Sequence, residues 1–278
     1  MTFEEKLKHY RKQAGLSQEK MAELIGVSRQ AVTKWETGTG VPDISNLIAI
    51  SELFQVSLDD LLLDEKMAKA QTDFIYNSST EYDIDRLKHF DIKLGGAKQV
   101  IVKAVNSEKI KIRLASNTLK TVAEELKLKI DDVRNKIDLD IHKSGKLTEA
   151  VLKDELTIFL YLPQKYLGKV ELEVNCKQLK LSHIANDSFE LDGKVSEVTI
   201  DGGQGEIELN SNLDMMVTVL AHKGGIALNQ ISSTSTIQVP ADYPFQAVKK
   251  GIATRMTFEE MASRQRISLL KRLKIISS

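Results

Sequence analysis

The stretch Ser17–Glu36, SQEKMAELIGVSRQAVTKWE, carries polar residues whose types and spacing could do chemistry. Arg29, Gln30 and Lys34 bring several hydrogen-bond donors together on one short segment. Side chains of these types can hydrogen-bond to nucleic acid when a helix carries them into a groove. This chemistry requires that the surrounding sequence form a helix that exposes these three side chains.

Two short helices joined by a tight turn are predicted for this stretch. Ser17 and Ser28 are placed to cap the free backbone N–H groups at the two helix starts. Gly26 lies where the chain must reverse, and glycine adopts positive φ there without strain. Ala22 is small enough to let the helices touch, and Val32 supplies the apolar contact on the other side. A helical hairpin with a purely structural role is the alternative interpretation.

Composition sets the class of protein. The chain has 278 residues, 42% hydrophobic and 28% charged, with a formal net charge of +0. These values are typical of an ordinary globular protein, and the length favours two domains. The single cysteine, Cys176, excludes an internal disulfide and fits a reducing compartment, so a cytoplasmic location is predicted.

No catalytic or metal-binding constellation is visible, so no catalytic residue, metal or cofactor is predicted and an enzyme is not expected. The histidines are scattered, and none lies at metal-ligand spacing with a cysteine or another histidine. The sequence contains no nucleophile elbow and no Walker-type phosphate loop. The paired glycines Gly95–Gly96, Gly202–Gly203 and Gly224–Gly225 precede strand-like segments and are interpreted as bends.

Residues 1–65 are predicted to form a compact domain of five short helices. The first helix has a stripe of apolar residues and ends at Gly15, and the pair described above follows. Asp43 is expected to cap a fourth helix, and Leu61 and Leu62 to close the core from a fifth. Trp35 is interpreted as a core residue.

The pattern S-Q-E-x-x-A-E-x-x-G-V-S-x-x-x-V-x-x-W-E resembles the Cro/cI-type helix-turn-helix of the Xre family of regulators. The resemblance covers about residues 3–63. It implies that the second helix of the pair lies in the major groove of double-stranded DNA.

The resemblance also implies roles for individual residues. Residues of the second helix would meet base edges, where arginine can pair bidentately with guanine and glutamine with adenine. Gln18 matches a phosphate-contacting glutamine, and Arg11 and Glu36 match an ion pair that ties the first helix to the recognition helix. The DNA-binding residues implied in this way are Gln18, Ser28, Arg29, Gln30, Thr33 and Lys34.

One segment departs from the family pattern. Many relatives carry basic residues after the recognition helix, where this chain has Thr37, Thr39 and Val41. Fewer phosphate contacts would mean weaker non-specific binding and a shallower dependence on salt.

Residues 66–90 are predicted to be a polar linker, and residues 91–251 an all-β domain. From Phe90 onward, short segments alternate apolar and polar residues and are separated by Gly, Asn, Asp and Ser. Thr118–Leu128 is predicted as one helical interruption. From Lys169 the even spacing favours stacked coils of a β-solenoid, with a sandwich as the second choice.

This β region is similar to the adhesin-like β domains of bacterial envelope-stress proteins and of some regulators. That resemblance depends on pattern alone and implies a fold without a ligand. Residues 252–278 are predicted to be a basic amphipathic helix that caps the open end of the β domain. Pairing with a second subunit and contact with a membrane are alternatives, the membrane being the less favoured.

The sequence thus predicts a multidomain α + β transcription regulator, a repressor that binds a two-fold operator as a homodimer. The β domain would serve dimerisation or the sensing of an effector or protein partner. Acidic residues outnumber basic ones by 11 to 8 in residues 1–66, which motivates a rival: a protein-interaction or envelope-sensing module whose helical domain docks on a protein. The operator, the regulated genes and any effector stay open.

Overall fold

A computed structural model describes residues 3–54, 56, 61, 74–240, 243–248, 254–262 and 269–277. The chain divides into two compact units, Met1–Asp73 and Phe74–Ser278. Each unit is considered by itself below.

The first unit contains four described helices around a small apolar core. Asp43 caps the fourth helix, since its Oδ1 accepts from the Asn46 N–H at 2.9 Å. Trp35 and Leu61 are buried, as predicted. The predicted fifth helix, apart from Leu61, lies outside the described residues. The helices are α1 (Phe3–Gln13), α2 (Gln18–Ile25), α3 (Arg29–Glu36) and α4 (Ile44–Phe54).

The second unit is built almost entirely of strands, which confirms the predicted α + β class. Its helical pieces are α5 (Val122–Glu125), α6 (Glu149–Glu155) and a 3-10 turn (Gln164–Tyr166). The first seven strands are β1 (Tyr76–Asp83), β2 (Lys88–Val105), β3 (Lys109–Ser116), β4 (Leu126–Val133), β5 (Lys136–Lys143), β6 (Thr157–Pro163) and β7 (Leu167–Ser182). The other six are β8 (Ala185–Asn210), β9 (Met215–Lys223), β10 (Ile226–Asn229), β11 (Ser233–Pro240), β12 (Thr254–Ala262) and β13 (Leu269–Ser277).

From β7 to β10, neighbouring strands lie parallel at a nearly constant sequence offset. Val170 lies beside Phe189, Val198 beside Val217, and Ile207 beside Ile226, each pair 19 residues apart. The chain therefore returns to the same place about every 19 residues and stacks one coil on the previous one. Residues of the same type come into rows, and apolar rows form the core. One buried row contains Val100, Leu179, Val198 and Val217.

The long strands β2, β7 and β8 bend, so that each belongs to two rows of strands. The first halves pair in the order β4-β5-β2-β7-β8, and β10 pairs with the last part of β8. The second halves continue through β9 and β11 to β13 and β12. Gly193 lies at one bend with φ +139°, next to Val174 of the neighbouring coil.

The predicted linker is wrong in its second part. Residues 76–83 form β1, which pairs antiparallel with β3, and β2 already begins at Lys88. The sequence of β1 is rich in Ser, Thr and Asn, and its side chains are mostly exposed. An edge strand of this kind lacks the apolar alternation that identifies a strand, and only the backbone bonds to β3 define it.

The predicted C-terminal helix is also wrong. Two antiparallel strands, β12 and β13, occupy this region, and β13 pairs with β11. Short amphipathic segments satisfy helix and strand periods alike, and the available edge of β11 decides between them. The helix predicted over Thr118–Leu128 shrinks to α5, because Leu126 begins β4.

Cys176 lies in the core of the β unit, as a small apolar residue would. Burial raises the pKa of its thiol to about 12. Among the described residues no group of His, Cys, Asp or Glu could hold a metal ion, and no helix is long and apolar enough to cross a bilayer.

Gly193→Ala should destabilise the β unit more than Gly95→Ala. A Cβ at residue 193 would lie 2.0 Å from the Val174 carbonyl oxygen, whereas one at Gly95, with φ +68°, meets nothing within 4 Å. We expect a loss of about 3 kcal/mol or more at residue 193 and about 1 kcal/mol at residue 95. Urea unfolding of the full chain measures both, and equal losses would contradict the stacked coils.

Candidate nucleic-acid interface

The two helices of the predicted pair begin and end where the sequence indicates. Ser17 Oγ accepts from the Lys20 N–H at 3.0 Å, and Ser28 Oγ accepts from the Ala31 N–H at 3.2 Å. Gly26 follows α2 with φ +72°, in the left-handed region. The caps therefore fix both helix starts, and the glycine permits the reversal between them.

The inner faces of α2 and α3 hold the pair against the core. Ala22, Val32 and Trp35 are buried, and Met21 is buried beside them. The apolar residues of α3 thus lie inward. Its polar residues must lie on the opposite side, because the helix is only eight residues long.

That opposite side carries the predicted readout residues. Ser28, Arg29, Gln30 and Lys34 are exposed, and Thr33 is partly buried. Three of the four predicted site residues within α3, together with the Ser28 N-cap, are therefore open to a partner along one helix edge. The exposed side chains therefore present hydrogen-bond donors and acceptors to any molecule that binds against α3.

Arg11 and Glu36 form the ion pair that the family resemblance implies. Arg11 Nε donates to Glu36 Oε1, and Arg11 Nη2 donates to Glu36 Oε2 at 2.9 Å. Arg11 Nη1 donates to the Leu16 carbonyl oxygen at 2.8 Å. The Glu36 side chain is only 2% exposed. A bidentate pair in such a place fixes angles as well as distances. It joins α1, the loop before α2, and the end of α3.

Gln18 makes hydrogen bonds within the protein that the sequence did not predict. Its Nε2 donates to Glu36 Oε2 at 2.8 Å, and its Oε1 accepts from Thr33 Oγ1 at 3.1 Å. Thr33 Oγ1 also lies 3.0 Å from the Arg29 carbonyl oxygen, to which it can donate. The amide is thus oriented by two residues of α3, and one Nε2 hydrogen stays available. The sequence spacing of Gln18, Thr33 and Glu36 does not predict these hydrogen bonds, because they depend on how α2 crosses α3.

Two effects of opposite sign act on the Glu36 carboxyl. Burial raises its pKa, whereas the hydrogen bonds from Arg11 and Gln18, together with the Arg11 charge, lower it. The net result is a pKa below the ordinary value of 4.5. The pKa of Arg11 is raised, chiefly by its hydrogen bond to Glu36. The pair therefore stays ionised at neutral pH.

The segment after α3 uses its hydroxyl groups internally. Thr37 Oγ1 donates to the Thr33 carbonyl at 2.8 Å and contacts Thr39 Oγ1 at 3.0 Å. The Thr39 N–H donates to the Lys34 carbonyl at 2.9 Å. These contacts end the helix, so the two threonines act as a cap.

Glu36→Gln should destabilise the helical unit at neutral pH and remove part of its acid sensitivity. The native carboxylate has a lowered pKa, so its stabilisation is present above the unfolded-state pKa and is lost as pH falls through the folded one. We expect a loss of about 3 kcal/mol, because Arg11 is left without its counter-charge in a mostly buried place.

The matched control is Glu23→Gln, which breaks the exposed Lys20–Glu23 pair and should cost less than about 1 kcal/mol. Urea unfolding of the full chain, followed by Trp35 fluorescence from neutral pH to below pH 4.5, measures both. An unchanged pH profile in Glu36→Gln would show that the ion pair does not stabilise this unit.

Comparison with known proteins identifies relatives of the helical unit. Residues 7–61 match the family HTH_3, described as helix-turn-helix. The chain is 45% identical over 67 residues to the HTH-type transcriptional activator BcrR of Enterococcus faecalis, covering 24% of this chain and 33% of that protein. It is 37% identical over 60 residues to the uncharacterized HTH-type transcriptional regulator MJ0272 of Methanocaldococcus jannaschii, covering 22% of this chain and 91% of that protein. The chain spans 33%, 61% and 56% of the lengths of three of the curated relatives that it matches.

Solved structures resemble each unit separately. The P22 c2 repressor protein, solved in complex with a synthetic operator, is 32% identical, with 22% of this chain and 94% of that chain covered and a TM-score of 0.22. A protein described as a "putative cell adhesion protein" from Clostridium sporogenes ATCC 15579 is 10% identical, with 59% and 99% covered and a TM-score of 0.32. The chain belongs, through its N-terminal unit, to the Cro/cI-type helix-turn-helix family.

Proposed function

We propose that this chain is a sequence-specific DNA-binding transcriptional regulator that reads its operator with α3. The observation that carries the proposal is the exposed row Ser28, Arg29, Gln30 and Lys34 on a short helix whose other face is locked in the core. Arginine and glutamine are the side chains that match guanine and adenine edges in the major groove.

Phosphate contacts would set the register of α3 in the groove. Gln18 lies at the start of α2, where free N–H groups and the helix dipole favour an anion. Its orientation by Glu36 and Thr33 leaves one amide hydrogen for a phosphate oxygen. Ser28 caps α3 and is exposed, so it can contact a phosphate of the DNA backbone next to α3. Contacts of this kind fix position without reading sequence.

A dimer on a two-fold operator follows from the size of the site. One helix of eight residues touches only a few base pairs, so useful specificity needs two copies with half-sites about one helical turn apart. A dimer that occupies its operator can repress by excluding other proteins, which is the mode that we propose. The β unit would hold the two copies together or receive an effector or a partner.

Arg29→Ala tests the readout assignment. We expect the binding free energy to weaken by about 1–3 kcal/mol. Base preference should relax at one base-pair position of each half-site and stay unchanged at the others. The probe is the DNA recovered by selecting random-sequence fragments on the wild-type chain, and the measurement is fluorescence anisotropy at several salt concentrations. Lys194→Ala, which removes an exposed lysine of the β unit, is the control and should leave binding unchanged.

Two outcomes would contradict the proposal. If Arg29→Ala binds the selected DNA with wild-type affinity and preference, α3 does not read bases through this residue. If the wild-type chain retains no DNA even at low salt, a helical unit that docks on a protein would replace the regulator.

A further inference from the structure

One end of the β unit carries two edge strands, β1 and β4, with a cavity between them. In the described part of the chain β1 pairs only with β3, and β4 pairs only with β5. The cavity has a volume of about 200 Å³ and is lined by residues of β1, β3, α5 and β4. We call it the end slot; it lies between Ser78 and Thr80 of β1 and Leu126 and Leu128 of β4.

The end slot exists because β1 has small polar side chains on the side that faces the core. Ser78 lies directly opposite Leu114 of β3, and residues opposite one another in paired strands share a face of the sheet. Thr80 lies opposite Ile112 in the same way. Since Leu114 and Ile112 are buried in the core, the two hydroxyl residues lie on the core side. Thr80 is nevertheless exposed, so the slot opens to solvent.

The other walls of the end slot are apolar, and both of its ends are bounded. Leu126 and Leu128 line it opposite the two hydroxyl residues. At one end α5 packs against β1, β3 and β4, and Ala123 lines the slot there. Beyond the other end Tyr82 Oη donates to Asp132 Oδ2 at 3.3 Å, which joins β1 to β4. The space is therefore suited to a small molecule with an apolar body.

The polar groups of the end slot are two hydroxyls and one ammonium. In the described part of the chain, neither the Ser78 nor the Thr80 hydroxyl has a hydrogen-bond partner. Lys127 is the charged residue of the lining. Its Nζ donates to the Ala123 carbonyl oxygen at 2.8 Å, which leaves two N–H groups of the ammonium for another acceptor.

Carboxylates of the surrounding segments do not neutralise Lys127. Asp132 forms an ion pair with Lys88. Glu125 accepts from two backbone N–H groups in the loop before α6. Glu124 is exposed and does not line the slot. A ligand that brings its own negative charge would therefore complement the ammonium at this site.

We propose that the end slot binds a small organic carboxylate whose apolar body is about the size of one aromatic ring. An apolar cavity of about 150 Å³ holds benzene, so the end slot, at about 200 Å³, has room for a ring and a short acidic arm. The ring would lie against Ile112, Leu114 and Leu128. The carboxylate would accept from Lys127 and from a hydroxyl of β1. A few polar groups in an apolar pocket fix the orientation of a ligand in this way.

The inference rests on the proposed function in one respect, which is that a ligand of the β unit would act as the effector of a regulator. Binding to the end slot is measured without DNA, so the two can fail separately. A chain that binds the carboxylate in the slot and retains no DNA would overturn the regulator and leave the slot standing. A chain that binds selected DNA and no carboxylate would overturn the slot and leave readout by α3 standing.

The experiment titrates the full chain with three compounds of matched size: phenylacetate, the neutral phenylacetamide, and the cationic 2-phenylethylamine. Calorimetry at neutral pH measures affinity, and methyl NMR locates the site. Phenylacetate should bind with a dissociation constant below about 1 mM. The amide should bind about fivefold more weakly and the amine more weakly still, because Lys127 attracts the carboxylate and repels the ammonium. The methyl signals that should shift are those of Ile112, Leu114, Leu126 and Leu128.

Ser78→Leu and Ser79→Leu are a matched pair of variants. A leucine at residue 78 would fill the end slot, whereas residue 79 is exposed and lies opposite Arg113 on the outer side of the sheet. Ser78→Leu should abolish phenylacetate binding, and Ser79→Leu should bind as wild type does. Urea unfolding checks that both variants are folded. Lys127→Gln is a second measurement that leaves the core unchanged: it should weaken phenylacetate binding about fivefold and leave phenylacetamide binding unchanged.

Three results would each overturn the proposal: equal affinity of the wild type for the three compounds, wild-type binding of phenylacetate by folded Ser78→Leu, and no effect of Lys127→Gln on phenylacetate. A phenylacetate titration that shifts none of the four methyl signals would overturn it as well. In that case an extended peptide that shifts these signals by adding to the edges of β1 and β4 would replace the carboxylate as the occupant.

Discussion

The helical unit depends on one buried carboxylate. Glu36 ends α3 and receives hydrogen bonds from Arg11 and Gln18, so a single group joins three helices. Its desolvation costs free energy, and pairs of this kind often add little to net stability. What the pair provides is orientation, because a bidentate guanidinium and an amide permit one geometry. The exposed edge of α3 therefore has a fixed direction relative to α1 and α2.

Two features of Gln18 follow from this constraint. Its Nε2 donates one hydrogen to Glu36 and its Oε1 accepts from Thr33, and the second Nε2 hydrogen is available. In the phosphate-contacting role that we propose for Gln18, the side chain is already oriented by the protein, so little side-chain entropy would be lost on binding. Gln18 is connected to the backbone of α3 through Thr33, whose hydroxyl lies within hydrogen-bond distance of both.

The β unit is governed by a different requirement, which is that every strand needs a neighbour. From β7 to β10, coils of 19 residues satisfy it internally, because each coil pairs with the one before. The requirement reappears at the ends of the stack, where a last strand must be covered, charged or paired.

The sequence determined the parts of this protein that depend on local chemistry. Ser17, Gly26 and Ser28 act within a few residues of themselves, so the helix pair, its caps and its polar edge could be predicted and are found. Alternation and turn residues likewise identified an all-β region. Tertiary structure decided what depends on distant partners: the bonds from Gln18 to Glu36 and Thr33, the polar strand β1, and the strands β12 and β13 in place of a helix. The physical reason is the same in each case. A hydrogen bond between groups far apart in the chain leaves no periodic trace in the sequence, and a short amphipathic segment adopts the structure for which the fold offers backbone partners.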